Sequence, residues 1–360
     1  MITTNTTWAS RYFSSTVPDL GFTISSTRAK VEVSISHSGS TEKIFNEFLY
    51  PDNSDTITLQ DIRDLLEPYA YRFLIFDISV DITEQLVQTD GDGVEHVSDV
   101  STKNVQTSIV SCLAEISTSA EDFCSKHFLS LIDGVRQTSA GRLEYLSYIG
   151  TETPSVTAVY ADHDPHTFSA QKVAGNSSYS TIDVSPDRFK TEGATLIGYT
   201  VSCGQRSQEY EVLQESERDV APILIFMNSF GVQEIAYCTG EHQQIPAFER
   251  KSAKVGRMKI NYKIEERETF RADTGVMSFP MANWWREVFR SLDVRVLQDL
   301  KTNTEGTPVI ITSQDAKLSN AADHLPRYTF EYEYSQENHN VFDIRGEGRI
   351  FDFTFDMTFN

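Results

Sequence analysis

Residues 349–359 alternate almost without error. Phe351, Phe353, Phe355, Met357 and Phe359 are apolar, and Asp352, Thr354, Asp356 and Thr358 between them are polar. A period of two describes a β-strand with one apolar and one wet face, and such a strand needs something to cover the apolar side. Upstream, Tyr328, Phe330, Tyr332 and Tyr334 alternate with Thr329, Glu331 and Glu333 in the same way. The two segments are expected to meet as a closing β-pair, and a chain patterned like this is expected to be a β protein.

The same alternation recurs upstream. Val31, Val33 and Ile35 interleave with Glu32, Ser34 and Ser36. Phe76, Ile78, Val80 and Ile82 interleave with Asp77, Ser79, Asp81 and Thr83, and Met258, Ile260, Tyr262 and Ile264 with Lys259, Asn261, Lys263 and Glu265. Three helical patterns interrupt the strands. Thr58 with Asp61 predicts a capping box, opening a helix that Pro68 stops. Ser119, with Glu121 and Asp122 in the next turn, predicts a helix to about residue 132, with Phe123, Phe128, Leu131 and Ile132 inward and Gly134 as terminator. Trp285, Val288, Phe289 and Leu292, spaced i, i+3, i+4 and i+7, predict a third over 284–292. The fold class expected is therefore mainly β: multidomain antiparallel β-sandwich modules with a few short helices.

A length of 360 residues exceeds one typical core. Turn-rich stretches near 150–154 and 214–219 divide the chain into three parts. Residues 1–153 form an N-terminal β-module with two short helices. Residues 154–217 form a small sandwich-like insertion of closely spaced strands. Residues 218–360 form a C-terminal β-module. Leu74-Ile75-Phe76 recurs as Leu224-Ile225-Phe226. At the same offset Ser79 matches Ser229, Glu84 matches Glu234 and Thr89 matches Thr239, which suggests that the third part duplicates the first.

Composition narrows the function. The net charge is −21, which disfavours nucleic acid and anionic lipid as partners. Four scattered cysteines without a CxxC pair, and a start with neither basic residues nor an apolar core, predict synthesis in a reducing cytoplasm without a signal peptide. No run reaches the roughly 18 apolar residues of a membrane helix.

Several constellations have residue types that could carry chemistry. Asp162, His163, Asp164 and His166 are of metal-ligand type, but neighbours on an extended strand point apart, and a polar turn around Pro165 is the plainer reading. Asp90, Asp92, Glu95 and Asp99 lack the calcium-loop pattern and read as a hairpin tip. Cys124 and His127 lie one helical turn apart, yet flanking Phe123 and Phe128 point to core burial. Nucleophile-elbow, P-loop, zincin and dinucleotide motifs are missing, so no catalytic residue, cofactor or metal is assigned. An acid pair for glycoside hydrolysis cannot be picked from 52 acidic residues. With Trp285 in the helix stripe, Trp284 is expected to face outward, where its indole could stack on a glycan or anchor an interface.

The stretch ILIFMNSFGVQEIAYCTG (223–240), with WWREVF, PVIITSQDAKLS and the closing RIFDFTFDMTF, resembles tail or baseplate structural proteins of phages and prophages of Bacteroidetes. The likeness spans about the last 140 residues and, weakly, the first 120. It implies a structural role in a virion or tail-like particle and brings no active residues. The expected partners are further copies of the chain and other tail proteins. The edges near Phe351, Phe353 and Phe355 are candidate contacts.

Overall fold

The computed structural model describes residues 1–214, 222–297, 305–317 and 325–335, apart from the side chains of 265 and 266. It is mainly β, with antiparallel sheets stacked as sandwiches and three α-helices among the described residues. Of the expected strand patterns, 349–359 and its phenylalanines Phe351, Phe353 and Phe355 lie outside the described residues.

In the N-terminal module a five-stranded sheet runs in the order Arg11–Phe13, Glu95–Val110, Ile75–Thr89, Arg28–His37, Ser40–Leu49. A three-stranded sheet of Thr3–Thr4, Leu20–Thr23 and Thr56–Leu59 covers one face. The alternation dictates the core: Val31, Val33, Ile78, Val80 and Ile82 point inward against Leu20, Phe22, Ile57 and Leu59. Helix α1 (Ile62–Ala70) closes the end with Ile62 and Leu66. Its start differs from the expectation. Thr58 belongs to a strand, and the N-cap is Asp61, in left-handed geometry at φ 58° without a side-chain cap bond. Pro68 does not stop the helix. It sits in the last turn, where its missing N–H forfeits only the bond to the Asp64 carbonyl, and burial of Leu66 and Ala70 on either side holds the turn.

Helix α2 (Ala120–Lys126) starts as the sequence indicates, with Ser119 Oγ accepting from the Asp122 N–H at 3.2 Å. It ends earlier than expected. His127 is extended, and the Leu129 N–H donates to the Ser147 carbonyl, so Phe128 and Leu129 enter the core from an extended segment.

The central module is a second sandwich. One sheet runs His166–Ser169, Ser155–Tyr160, Leu196–Cys203, Arg206–Leu213, Arg136–Ser139, and the other runs Tyr145–Ile149, Tyr179–Asp183, Gln171–Gly175. Val156, Ala158, Tyr199 and Val201 pack against Leu146, Tyr148, Ile182 and Val184 between them. Its sheets thus begin upstream of residue 154. Arg136–Ser139 pairs in parallel with 210–213, and Tyr145–Ile149 pairs with Tyr179–Asp183.

The C-terminal module is a seven-stranded antiparallel sheet in the order Gln233–Tyr237, Ile223–Met227, Val294–Leu297, Thr307–Asp315, Thr329–Tyr334, Met258–Asp273, His242–Val255. Helix α3 (Phe279–Arg290), capped by Ser278, lays Trp284, Trp285 and Val288 on Leu224, Phe226, Val294 and Phe330. Thr329–Tyr334 is flanked by Thr307–Asp315 on one edge and by Phe270 to Asp273 on the other. The closing β-pair expected with 349–359 lies outside the described residues.

The internal echo does not extend to the path of the chain. Residues 75–89 form one continuous strand, whereas 223–237 fold back as a hairpin around Asn228. Glu84 and Glu234 are nevertheless both buried.

Candidate functional site

Two kinds of place stand out: a charged junction inside the molecule and long ribbons outside it. The junction begins at Arg136, whose strand edges the central module. Its side chain, 2% exposed, reaches Glu144 Oε2 at 3.0 Å through Nε and Glu234 Oε2 at 2.8 Å through Nη1. Nη2 donates to the Ile235 carbonyl. Trp284 Nε1–H donates to the same Glu234 oxygen at 2.8 Å, and the Arg136 guanidinium lies 4.6 Å from the centre of a Trp284 ring. Asn228 completes the set: Nδ2 donates to Glu234 Oε1 and to the Leu129 carbonyl, while Oδ1 accepts from the Phe230 and Val232 N–H groups. Thr138 Oγ1 donates to Glu144 Oε1.

Burial works against the Arg136 cation, but the charges of Glu144 and Glu234 more than offset it and keep it protonated. Burial raises Glu144, opposed by Arg136. Glu287, from α3, is pushed up to about 7 by burial and by the charge of Glu234, although the Ser229 N–H donates to it at 3.1 Å. These carboxylates converge, but all are buried among packed side chains, so they bind modules together and are not presented to a substrate. Beside them lies an apolar joint. Phe13 and Val110 of the first module, Ile149 of the second and Phe230 and Val232 of the third meet around Phe123, which stacks on Phe230 at 5.2 Å.

Trp284 is where the sequence expectation fails most plainly. It is 1% exposed, not outward-facing, and offers no platform to a glycan. Helix α3 is covered on two sides, by its own sheet and by the Arg136 junction, so both tryptophans are enclosed.

The histidine cluster does not converge either. His163 Nδ1 pairs with Asp162 at 3.0 Å in an exposed turn, Asp162 also accepts from the Thr195 N–H, and His166 turns to the Phe168 ring. Asp164 is exposed. Among the described residues no group of three or more His, Cys, Asp or Glu side chains is placed to hold a metal ion. Cys124 is buried, its thiol pushed up to about 11 by burial, and His127 stacks on Phe123 instead of activating it. A cleft of about 320 Å³ separates Ser36–Ser38 and Arg72–Asp77 from Asn176–Tyr179. Its histidine is engaged: the His37 ring stacks on Phe73 at 4.1 Å, and Nδ1–H donates to the Ile75 carbonyl.

Outside, two hairpins outrun their sheets. His242–Val255 and Met258–Asp273 turn at Gly256, whose φ of +65° suits a tight hairpin loop. Among the described residues only Phe270 to Asp273 pair with the next strand, while Met258 to Thr269 pair with the ribbon's other arm over roughly 40 Å of strand at 3.3 Å per residue. The cross-strand register makes its tip two-faced. Towards the tip Ala253, Val255, Met258 and Ile260 share one face and Lys254 and Lys259 the other, while past the register shift at Lys251/Ser252 Lys251 pairs with Lys263 and Arg250 with Ile264, so charged and apolar residues mix nearer the base. Val255, Met258 and Ile260 of the apolar tip face are 46% to 67% exposed, and Tyr262 beside them is 68% exposed. The second ribbon, Ile75–Thr89 with Glu95–Val110, leaves its sheet beyond Gln85 and ends at Asp90. Asp90 accepts the Val94 N–H at 2.9 Å and faces His96 Nε2 at 3.0 Å, contacts that hold its carboxyl below the usual range.

No family model and no curated protein matches the chain. Among solved structures, the Bacillus anthracis TIE protein aligns at 7% identity over 76% of this chain, with a TM-score of 0.16. The chain spans about half (51%) of that protein's length. A superposition this poor identifies neither fold nor function. No helix among the described residues is long and apolar enough to cross a membrane.

Proposed function

We propose that this chain is an assembly-forming structural component, of the kind found in a phage tail, baseplate or related tail-like particle, and that it acts through surfaces and not through catalysis. One observation carries the reading: the ribbon from Ile245 to Thr269 runs past the described neighbouring strand and exposes Val255, Met258, Ile260 and Tyr262 towards its tip. Exposed apolar patches of this kind mark surfaces that are covered in the working state. The three modules are joined by a buried ion network and an aromatic core, which suits a part that must hold its shape under load. The resemblance of 223–240, WWREVF and PVIITSQDAKLS to tail and baseplate proteins points the same way. The chain then works as a homo-oligomer or on a ring of other tail proteins, after synthesis in the host cytoplasm.

Light scattering coupled to size exclusion, over a rising concentration series, tests the proposal, with negative-stain microscopy of the largest species. Defined oligomers, rings or tubes are the expected result. A chain that stays monomeric at every concentration and joins no particle would count decisively against it.

A further inference from the structure

The two ribbons carry opposite charge. Residues 249–263 hold Arg250, Lys251, Lys254, Arg257, Lys259 and Lys263 against Glu249 alone, a net of +5. The rest of a chain whose total is −21 therefore carries −26. Residues 86–101 hold Asp90, Asp92, Glu95 and Asp99 and no Lys or Arg, a net of −4. Both tips also expose apolar residues: Val255, Met258, Ile260 and Tyr262 on the basic ribbon, and Val94, Val97 and Val100 on the acidic one, the latter 46% to 54% exposed. Beyond their bases, neither ribbon has a third described strand along its outer edges.

We infer that the basic ribbon of one copy docks on the acidic ribbon of a second copy. This rests on the assembly reading above and gives it a geometry. The two surfaces differ, so the contact is head-to-tail, and repeated contacts either close into a ring or continue as a filament. Charge favours this partner over an anionic polymer or membrane. The basic tip would draw such a surface, but the −26 body behind it would be repelled, whereas the acidic ribbon is a local target within the same species. Burial of the apolar face supplies the adhesion, and the opposed charges set register and exclude like-with-like pairing.

The test is a charge exchange on the full chain. Lys254→Glu/Arg257→Glu/Lys259→Glu makes both ribbons acidic, and Asp90→Lys/Asp92→Lys/Glu95→Lys makes both basic. All six side chains are at the exposed tips, and unchanged circular dichroism and melting verify the fold. Each triple variant alone is expected to be monomeric at concentrations at least tenfold above those at which the native chain assembles. An equimolar mixture of the two is expected to assemble again, and raised salt to weaken both the native and the mixed assemblies. A native chain that assembles, with triple variants that assemble equally well, overturns this pairing and leaves the assembly reading standing. A native chain that is monomeric throughout removes both. Binding of the monomer to phosphatidylglycerol vesicles or to duplex DNA, or assembly that appears only after residues 336–360 are deleted, assigns the basic face to a different occupant and also overturns the pairing.

Discussion

The Arg136 junction and the basic ribbon place side chains against the usual rule in opposite senses. At the junction, charges are enclosed where apolar groups would be expected. On the ribbon, apolar groups stand in water where charges would be expected. The junction is formed within one chain: the Arg136 cation pairs with Glu144 and Glu234, and the Trp284 indole N–H and the Asn228 amide donate to Glu234. The ribbon is incomplete, because nothing described covers its greasy side. Enclosed charge fixes how modules sit, since an ion pair tolerates little displacement, whereas exposed apolar surface is a contact still to be made.

That contrast can be broken most sharply at Arg136. Arg136→Met leaves Glu144 and Glu234 buried without their cation, and urea unfolding should show a loss of about 3–5 kcal/mol. A loss below 1 kcal/mol would mean that the junction is ornamental. Trp284→Phe keeps most of the packing but removes the indole donor from Glu234, and a loss of about 1–3 kcal/mol is expected by the same measurement.

The sign reverses at Glu287. Its pKa stands near 7 in the fold against about 4.5 when unfolded, so the folded state binds the extra proton between those values. Its contribution to stability is therefore greatest below about pH 4.5 and falls as pH rises through 7. Glu287→Gln should flatten that slope and raise stability at pH 8 by about 1–2 kcal/mol, read from melting curves at pH 5 and pH 8. The smallest effect belongs outside. Tyr262→Ser should leave monomer stability within about 0.5 kcal/mol while weakening self-association, because that side chain, 68% exposed, contributes little to its own fold. A large destabilisation there would show that the ribbon's apolar face is already part of a core.

Strand alternation was legible in the N-terminal module: Val31 to Ile35 and Phe76 to Ile82 face the core as their period requires. Helix boundaries were less so. The spacing of Phe123, Phe128 and Leu131 fits a helix, but a backbone bond from Leu129 to Ser147 draws the chain into a sheet instead, and such a partner 18 residues away leaves no local trace. Trp284 was misplaced because helical periodicity describes one buried stripe, whereas α3 is covered on two sides. The junction carried a signal that went unread. Glu234 shares parity with Ala236 and Cys238 on an inward face, and a carboxylate in that position needs a buried donor. Which donor, Arg136 at a distance of 98 residues, only the fold could tell. The basic ribbon was hidden by averaging: a total of −21 conceals a segment of +5, and the lysines between Met258 and Ile264 were read as one face of an ordinary strand.

The central sandwich takes Arg136–Ser139 and Tyr145–Ile149 from ahead of the boundary at which its own turn-rich sequence begins. Recombination that exchanged 154–217 between relatives would tear an edge strand from one sheet and leave the other without its first member, and would separate Arg136 from the strand at 210–213 that seats it. The heritable unit, the piece that could be swapped and still close, therefore begins near residue 128 and runs to about 214. Sequence divergence among relatives should break at those positions and not at the glycine and proline that look like a natural seam.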